Sequence, residues 1–296
     1  MTRRPSPSAA DLVARLTDRV DRSARSVLVT VFGDTIAPLG GEVWLSDLFE
    51  LMTPFDYSER LVRTSLSRLV ADDWCVSVRD GRRSRYRLTE GAQRATEEAE
   101  QRIYHRSRRA WTGTWTLVLA PDGDAVVDEL RWNGFARLAP GVHALPHDPD
   151  GRHRRVVERL GLGGRHPIAD ATFADVSVLA AEDRLTDGFD LGGLVEDYWR
   201  FCEAFGPVAD AGLDTMTPAD AFALRTLLVH EFRRLRLRDP ELPGELLPNP
   251  WAGDEAFDVA AAAYAAVDDA AWRWAEHHLE VAEATDAPPA PSRFAS

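Results

Sequence analysis

Apolar positions recur at helical spacing in three successive stretches near the amino terminus. Ser23 to Ile36 (SARSVLVTVFGDTI) carries an apolar face behind a serine suited to the N-cap, and Pro38, Gly40 and Gly41 then break the pattern. A second helical pattern runs from Trp44 to Met52 and stops at Thr53-Pro54, and a third runs from Ser58 to Asp73. The period then changes to two. CVSVRD, a turn at Gly81 and RRSRYRLT predict a β-hairpin, with Val76, Val78, Tyr86 and Leu88 towards the core and Arg79, Arg85 and Arg87 outward. Thr89-Glu90-Gly91 opens a charged helix to about Arg108, read as a spacer. The polar residues 1–20 read as a loose arm or a short helix.

The middle of the chain alternates between the two periods. WTGTWTLVLA reads as a strand, Asp124 to Leu138 as a helix, PGVHALP as a strand, HRRVVERLGL as a helix and TFADVSVLAAE as a strand. Short strands alternating with helices predict a small ferredoxin-like α+β domain. TDGFDLGG leads into a helical remainder with helices near Leu194–Phe205, Pro218–Arg236, Phe257–Val267 and Ala270–Ala284. The tail DAPPAPSRFAS has a disordered composition. The expected fold is therefore α+β, with a flexible arm (1–22), a winged helix-turn-helix domain with its linker helix (23–110), a ferredoxin-like domain (111–185), a helical domain (186–285) and a disordered tail (286–296).

Charge sharpens the first region. The net charge is −13, yet residues 1–110 carry +3 and residues 111–296 carry −16. Such asymmetry is a pointer to nucleic-acid contact. All 35 basic residues are arginine. Without lysine the chain has no Schiff-base, P-loop or protein-kinase lysine chemistry. Cys75 and Cys202 alone make neither a disulfide nor a zinc framework. The opening MTRRPSPSAAD shows no signal peptide, and the longest apolar run, Val259 to Val267, is far short of the roughly 20 residues of a membrane span. A cytoplasmic protein, with no membrane partner, is expected.

The third helical pattern sorts by angle into two sides. At about 100° per residue, Arg60, Arg63, Thr64, Ser67 and Ala71 share one face, while Val62, Leu66, Leu69, Val70 and Asp73 lie on the other. Arginines fork onto phosphates and guanine edges, hydroxyls reach phosphate or base, and a small residue permits close approach in the major groove. The hairpin adds Arg79, Arg82, Arg83, Arg85 and Arg87, with Asp80 as its sole acid. Three helices followed by a basic hairpin is the order of a winged helix-turn-helix, and the bland alternative is a small helical domain with a solvated basic face.

The stretch SVLVTVFGDTIAPLGGEVWLSDLFELMTPFDYSERLVRTSLSRLVADDW resembles the amino-terminal domain of the PaaX-like regulators, the phenylacetic-acid catabolon repressor family. LRWNGFARLAPGVHALP resembles that family's central domain, and LRTLLVHEFRRLRLRDPELPGELLPNPWAG its carboxy-terminal helical domain. The resemblance implies a dimeric, non-enzymatic repressor that binds double-stranded DNA at a near-palindromic operator. It also implies release by an aryl-CoA thioester such as phenylacetyl-CoA, with no catalytic cofactor. Mapped by position, Arg60, Arg63, Thr64, Ser67 and, at the edge, Arg68 would line the reading face. Arg79, Arg82, Arg83 and Arg85 would meet phosphate or the minor groove.

Other motifs are weaker. His230-Glu231-Phe232-Arg233-Arg234 opens like a zinc-protease motif but has arginine where the second histidine must stand. His230, Arg233 and Arg234 either grip the phosphates of a CoA ligand, or pair with a partner subunit, or belong to a salt-bridge network with Glu231, Asp239 and Glu241. His277-His278 reads as the polar edge of a packed helix, and Gly161 to Gly164 as a helix cap and turn. Trp132, Phe135 and Trp199 read as core. The central domain also resembles the small CRISPR-associated ferredoxin-like nuclease, whose metal-binding acid falls near Asp122 and Asp124. A metal-dependent nuclease, or a scaffold that only pairs subunits, is thus the alternative, although a PDGD turn explains both acids equally.

Overall fold

A computed structural model describes residues 9–19, 23–106, 108, 110–147, 149–174, 184–210, 216–280 and 293–294. Packing divides the chain into two compact units: residues 1–106, 199–237 and 254–296 form the first, and residues 107–198 and 238–253 the second. The first unit thus draws on both ends of the chain.

Of the two readings of the start, a helix forms: α1 (Ala9–Arg19) buries Leu12 and Leu16. In α2 (Ala24–Val31) the predicted cap is in place, with Ser23 Oγ accepting from the Ser26 amide at 3.2 Å. The helix then widens into a π turn over Phe32–Ile36 and is stopped by Gly40 and Gly41, whose φ of 99° and 73° favour glycine. Next comes β1 (Glu42–Trp44), too short for a period-two signal to show. α3 (Leu45–Met52) and α4 (Glu59–Ala71) match the second and third predicted helices. β2 (Cys75–Asp80) and β3 (Arg83–Leu88) form the hairpin, and β1 adds to it in the antiparallel order β1-β3-β2. α5 (Glu90–Tyr104) is capped by Thr89. It is no spacer: Ala92, Ile103 and Tyr104 are buried, and Tyr104 donates to the buried Asp34 at 2.7 Å.

The second unit runs β4 (Trp115–Leu119), α6 (Val126–Trp132), β5 (Ala136–Ala139), β6 (Val142–Pro146), α7 (Arg152–Arg159) and β7 (Ile168–Ala171). Its sheet is antiparallel, in the order β5-β6-β4-β7. The helix expected over 124–138 ends early because Asn133 caps it and Gly134 turns the chain at φ 89°. Residues 136–139 form β5 instead, a strand inside the span expected to be helical. β7 precedes the strand expected at 172–182, most of which lies outside the described residues. Val118, Val126, Leu130, Phe135, Leu145, Val156 and Leu162 fill the space between sheet and helices, each side chain contributing roughly 1.5–3 kcal/mol by burial.

Helices close the chain: α8 (Arg184–Gly188), α9 (Leu191–Asp210), α10 (Pro218–Arg238) and α11 (Ala252–His278). α8 and α9 run through most of the glycine- and aspartate-rich stretch read as a lead-in. α11 is one helix where two are expected: no proline or glycine interrupts it after Gly253, and Asp268 at the supposed break accepts from Arg225 at 3.0 Å. It ends before Leu279, short of the expected Ala284. In the tail, the disordered reading fails for two residues. Phe294 is buried against Tyr104, Phe232, Phe257 and Tyr264, with ring centroids 5.1–5.9 Å apart, while Arg293 lies over the Tyr104 ring at 4.8 Å. An aromatic payload outweighs the composition around it.

Candidate nucleic-acid interface

The arginine-bearing face of α4 forms largely as its periodicity dictates. Ser58 Oγ accepts from the Leu61 amide at 3.3 Å, and Val62, Ser65, Leu66 and Leu69 are buried. Arg60, Arg63, Thr64, Ser67, Arg68 and Ala71 are all exposed. Val70, expected inside, is 38% exposed. It sits on the shoulder of the buried stripe, and the small Ser65 takes the other shoulder.

The face is partly pre-arranged. Arg63 lies over the Phe49 ring at 4.6 Å and 3.5 Å from Glu59, so its fork is held upright on the helix. Thr64 donates to the Arg60 carbonyl at 2.8 Å, which leaves its oxygen as an acceptor. Among the described residues, Arg60 and Arg68 have no ion-pair partner.

The hairpin departs from its predicted phase. A two-residue turn pairs Cys75 with Leu88, Val76 with Arg87, Ser77 with Tyr86 and Val78 with Arg85. Directly paired residues share a face. Val76 and Val78 therefore lie with Arg83, Arg85 and Arg87, and the buried pair is Cys75 and Leu88. Arg79 emerges on the opposite face from Arg85. Reading each strand alone could not reveal this, since the parity is set by the turn.

The four hairpin arginines proposed to meet DNA consequently differ. Arg79 and Arg82 are exposed and, among the described residues, have no ion-pair partner. Arg83 and Arg85 stack on Trp44 at 4.0 and 4.8 Å. Arg83 also donates to Glu280 at 2.9 Å, which raises its pKa, and Arg85 reaches Glu42 at 3.1 Å. Trp44, read as the start of a helix, is a platform for this face that sequence reasoning misses; its register opposite Arg85 appears only when β1 joins the sheet.

The remaining candidates lie on α10 and are tied to the elements around it. His230 is fully buried, its Nδ1 3.1 Å from Thr30 Oγ1. Arg233 donates to Thr30 Oγ1, Ser26 Oγ and the Ser26 carbonyl at 2.9–3.1 Å, so it fastens α10 to α2. Arg234 pairs with Glu231 on the surface at 3.0 Å. Of the network expected around these residues, the Arg234–Glu231 pair forms, while Arg233 turns to the neutral oxygens of α2. A buried cluster missed by sequence lies beside it: Arg225 meets Asp34 at 3.1 Å and Asp268 at 3.0 Å, and donates to Thr35 at 2.9 Å.

In the second unit, Asp122 takes a two-pronged bond from Arg137 at 2.7 and 2.9 Å, which holds its carboxyl down at about 2. Asp124 accepts from the Val126 amide at 3.0 Å and meets His166 at 3.2 Å. Both acids thus serve the turn and the helix start. Among the described residues no group of three His, Cys, Asp or Glu is placed to hold a metal, and no helix is long and apolar enough to cross a membrane. Burial pushes both the Cys75 and Cys202 thiols up to about 11, so neither is a thiolate at neutral pH. His278 bonds the Trp274 carbonyl at 2.8 Å, as a packed helix edge does, and Gly161 to Gly164 form the expected turn. Phe135 is core, but Trp132 is 91% and Trp199 46% exposed; α6 ends at Trp132, before anything packs over it.

A family model described as PaaX-like protein matches residues 23–92, and one described as PaaX-like protein C-terminal domain matches residues 189–277. The transcriptional repressor PaaX of Escherichia coli (strain K12) is 34% identical over 258 residues, covering 84% of this chain and 82% of that one. Among solved structures, an uncharacterized protein from Mycobacterium tuberculosis superposes with a TM-score of 0.57 at 23% identity, covering 86% of this chain and 98% of that one, a likeness of fold alone.

Proposed function

The chain belongs to the PaaX-like family, and from that premise we propose that it is a cytoplasmic DNA-binding repressor of a phenylacetate-type catabolic operon, not an enzyme. It acts as a homodimer on a near-palindromic operator and leaves it when an aryl-CoA thioester such as phenylacetyl-CoA binds. The observation that carries the reading is the exposed stripe of Arg60, Arg63, Thr64, Ser67 and Arg68 on α4, flanked by Arg79 and Arg82 of the hairpin.

In this reading α2, α3 and α4 with the β2–β3 wing are a winged helix-turn-helix, and α4 enters the major groove. Arg63, steadied by Phe49 and Glu59, reads a base edge; Arg60 and Arg68 take phosphate or base; Thr64 and Ser67 supply acceptors. Arg79 and Arg82 meet phosphate, and Arg83 and Arg85 shape the wing through Trp44 and contact the backbone from its other face. The β-α-β-β-α-β order of the second unit supports a ferredoxin-like domain, whose acidic character keeps it from holding DNA. Two such chains place two α4 helices about one DNA turn, or a multiple, apart, and the thioester favours a dimer with the wrong spacing.

Genomic fragments captured on the purified protein and sequenced, with and without phenylacetyl-CoA, test this. A few enriched near-palindromes lost only with the thioester are expected. No enrichment at moderate salt overturns the DNA reading, and enrichment indifferent to the thioester overturns the effector.

A further inference from the structure

Helices α2, α5 and α10 line a half-open cavity of about 200 Å³ within the first unit. Gly33, Ala99 and Trp74 are among the residues that line it. The π turn over Phe32–Ile36 brings Gly33 and Asp34 to the lining, and such turns concentrate at functional sites.

The charges in the wall are not alike. Asp34 is matched by Arg225 at 3.1 Å and Tyr104 at 2.7 Å, and Glu100 by Arg293 at 3.8 Å. Arg233 instead donates to neutral oxygens, those of Thr30 and Ser26. Burial, with Arg234 nearby, pulls its pKa below the ordinary guanidinium value. A desolvated cation with neutral partners gains most from an oxygen ligand that brings negative charge. An engineered protein cavity of roughly 150 Å³ takes up benzene, so this one has room for a single ring and a short arm.

We propose that the cavity is a binding site for a compact ligand made of one apolar ring and a short arm ending in a carboxylate or acyl oxygen, the oxygen held by Arg233 and the ring lying against Trp74, Ala99 and Ile103. Trp74 joins α4 to β2, so an occupant touches the root of both DNA-facing elements. This deepens the proposed effector response and rests on it for the consequence at the operator. The ring has two sources, a free aryl acid or the acyl end of its thioester. A second cavity of about 200 Å³ shares Thr96, Glu100 and Arg293 with the first. Arg293 of the tail lines both, so on this proposal a free acid stays within the first, whereas the longer thioester extends past Arg293 towards the second.

The test is calorimetric titration of the full-length protein with phenylacetate and, separately, phenylacetyl-CoA, alongside operator release. Ala99→Leu fills the space and removes no polar group, and Arg233→Lys keeps the charge and loses the fork; thermal unfolding checks that each variant folds. At least one probe binds the wild type, and each variant weakens it by about ten-fold or more. Arg293→Ala alters thioester affinity more than acid affinity. If neither probe binds, or if both folded variants bind like the wild type, the site is overturned, whatever the operator does. If phenylacetate binding is lost in Ala99→Leu while the thioester never releases DNA from the wild type, the site stands and the effector reading falls.

Discussion

Two helices of the first unit, α4 and α10, are both rich in arginine and put it to opposite uses. On α4, Arg60, Arg63 and Arg68 stand in solvent. On α10, Arg225 is fully buried between Asp34 and Asp268, Arg233 is fastened to α2, and Arg236 donates to the Arg102 carbonyl at 2.8 Å. The difference lies in the intervening residues. α4 alternates its arginines with one narrow apolar stripe, so one face stays wet. α10 is apolar nearly all round from Ala221 to Val229, and a stretch buried on every side takes Arg225 inside with it, whereas Arg234 beyond it stays at the surface. Arginine content therefore locates neither an interface nor a core; the width of the apolar stripe decides which.

The strongest way to break this comparison is Arg225→Met. Removing the cation strands two carboxylates in the interior, and stability should fall by about 3–5 kcal/mol in urea unfolding; a loss below about 1 kcal/mol refutes the burial argument. Next comes Arg63→Ala, which should leave the fold intact and reduce discrimination between operator and scrambled sites by ~1–3 kcal/mol in competition binding. Unchanged site preference removes α4 from the reading role.

Arg82→Ala should weaken all DNA sequences alike and reduce the slope of log affinity against log salt by about 1. Arg83→Ala should change it less, since that guanidinium already serves Glu280 and Trp44. Equal slopes would mean that the hairpin's internal pairs open on DNA. The smallest effect concerns an arginine–carboxylate pair at the surface, the exposed counterpart of Arg225. With its pKa held at about 2 by Arg137, Asp122 stabilises the fold at pH above the ordinary carboxylate range and loses that contribution as the pH falls towards 2. Carbon-detected NMR titration should show this midpoint, and Arg137→Ala should move it back up.

Local signals were legible along the chain. Ser23, Ser58 and Thr89 announce their caps, α4 its two faces and Gly81 the hairpin, because each depends on residues within one or two turns of each other. The family was legible too, carried by long continuous matches. β5 was hidden because the Asn133-Gly134 stop sits inside an apolar run that helix and strand share. The arginines of the candidate interface could be counted in advance, but not sorted into exposed and engaged.

That sorting belongs to the tertiary structure. Arg79 and Arg85 part company because hairpin pairing fixes parity across two strands, and Trp44 becomes an arginine platform because β1 joins from thirty residues and more away. Asp34, Arg225 and Asp268 meet across more than two hundred residues, and Phe294 of a tail with disordered composition finds its aromatic pocket. By itself the sequence determined most of the amino-terminal helices, the Ser23 cap, the wet arginine face and the family, all properties of neighbours along the chain. Which charges are buried, what they touch and where a cavity is left are properties of neighbours in space, settled when desolvating each group is weighed against the partners that only folding supplies.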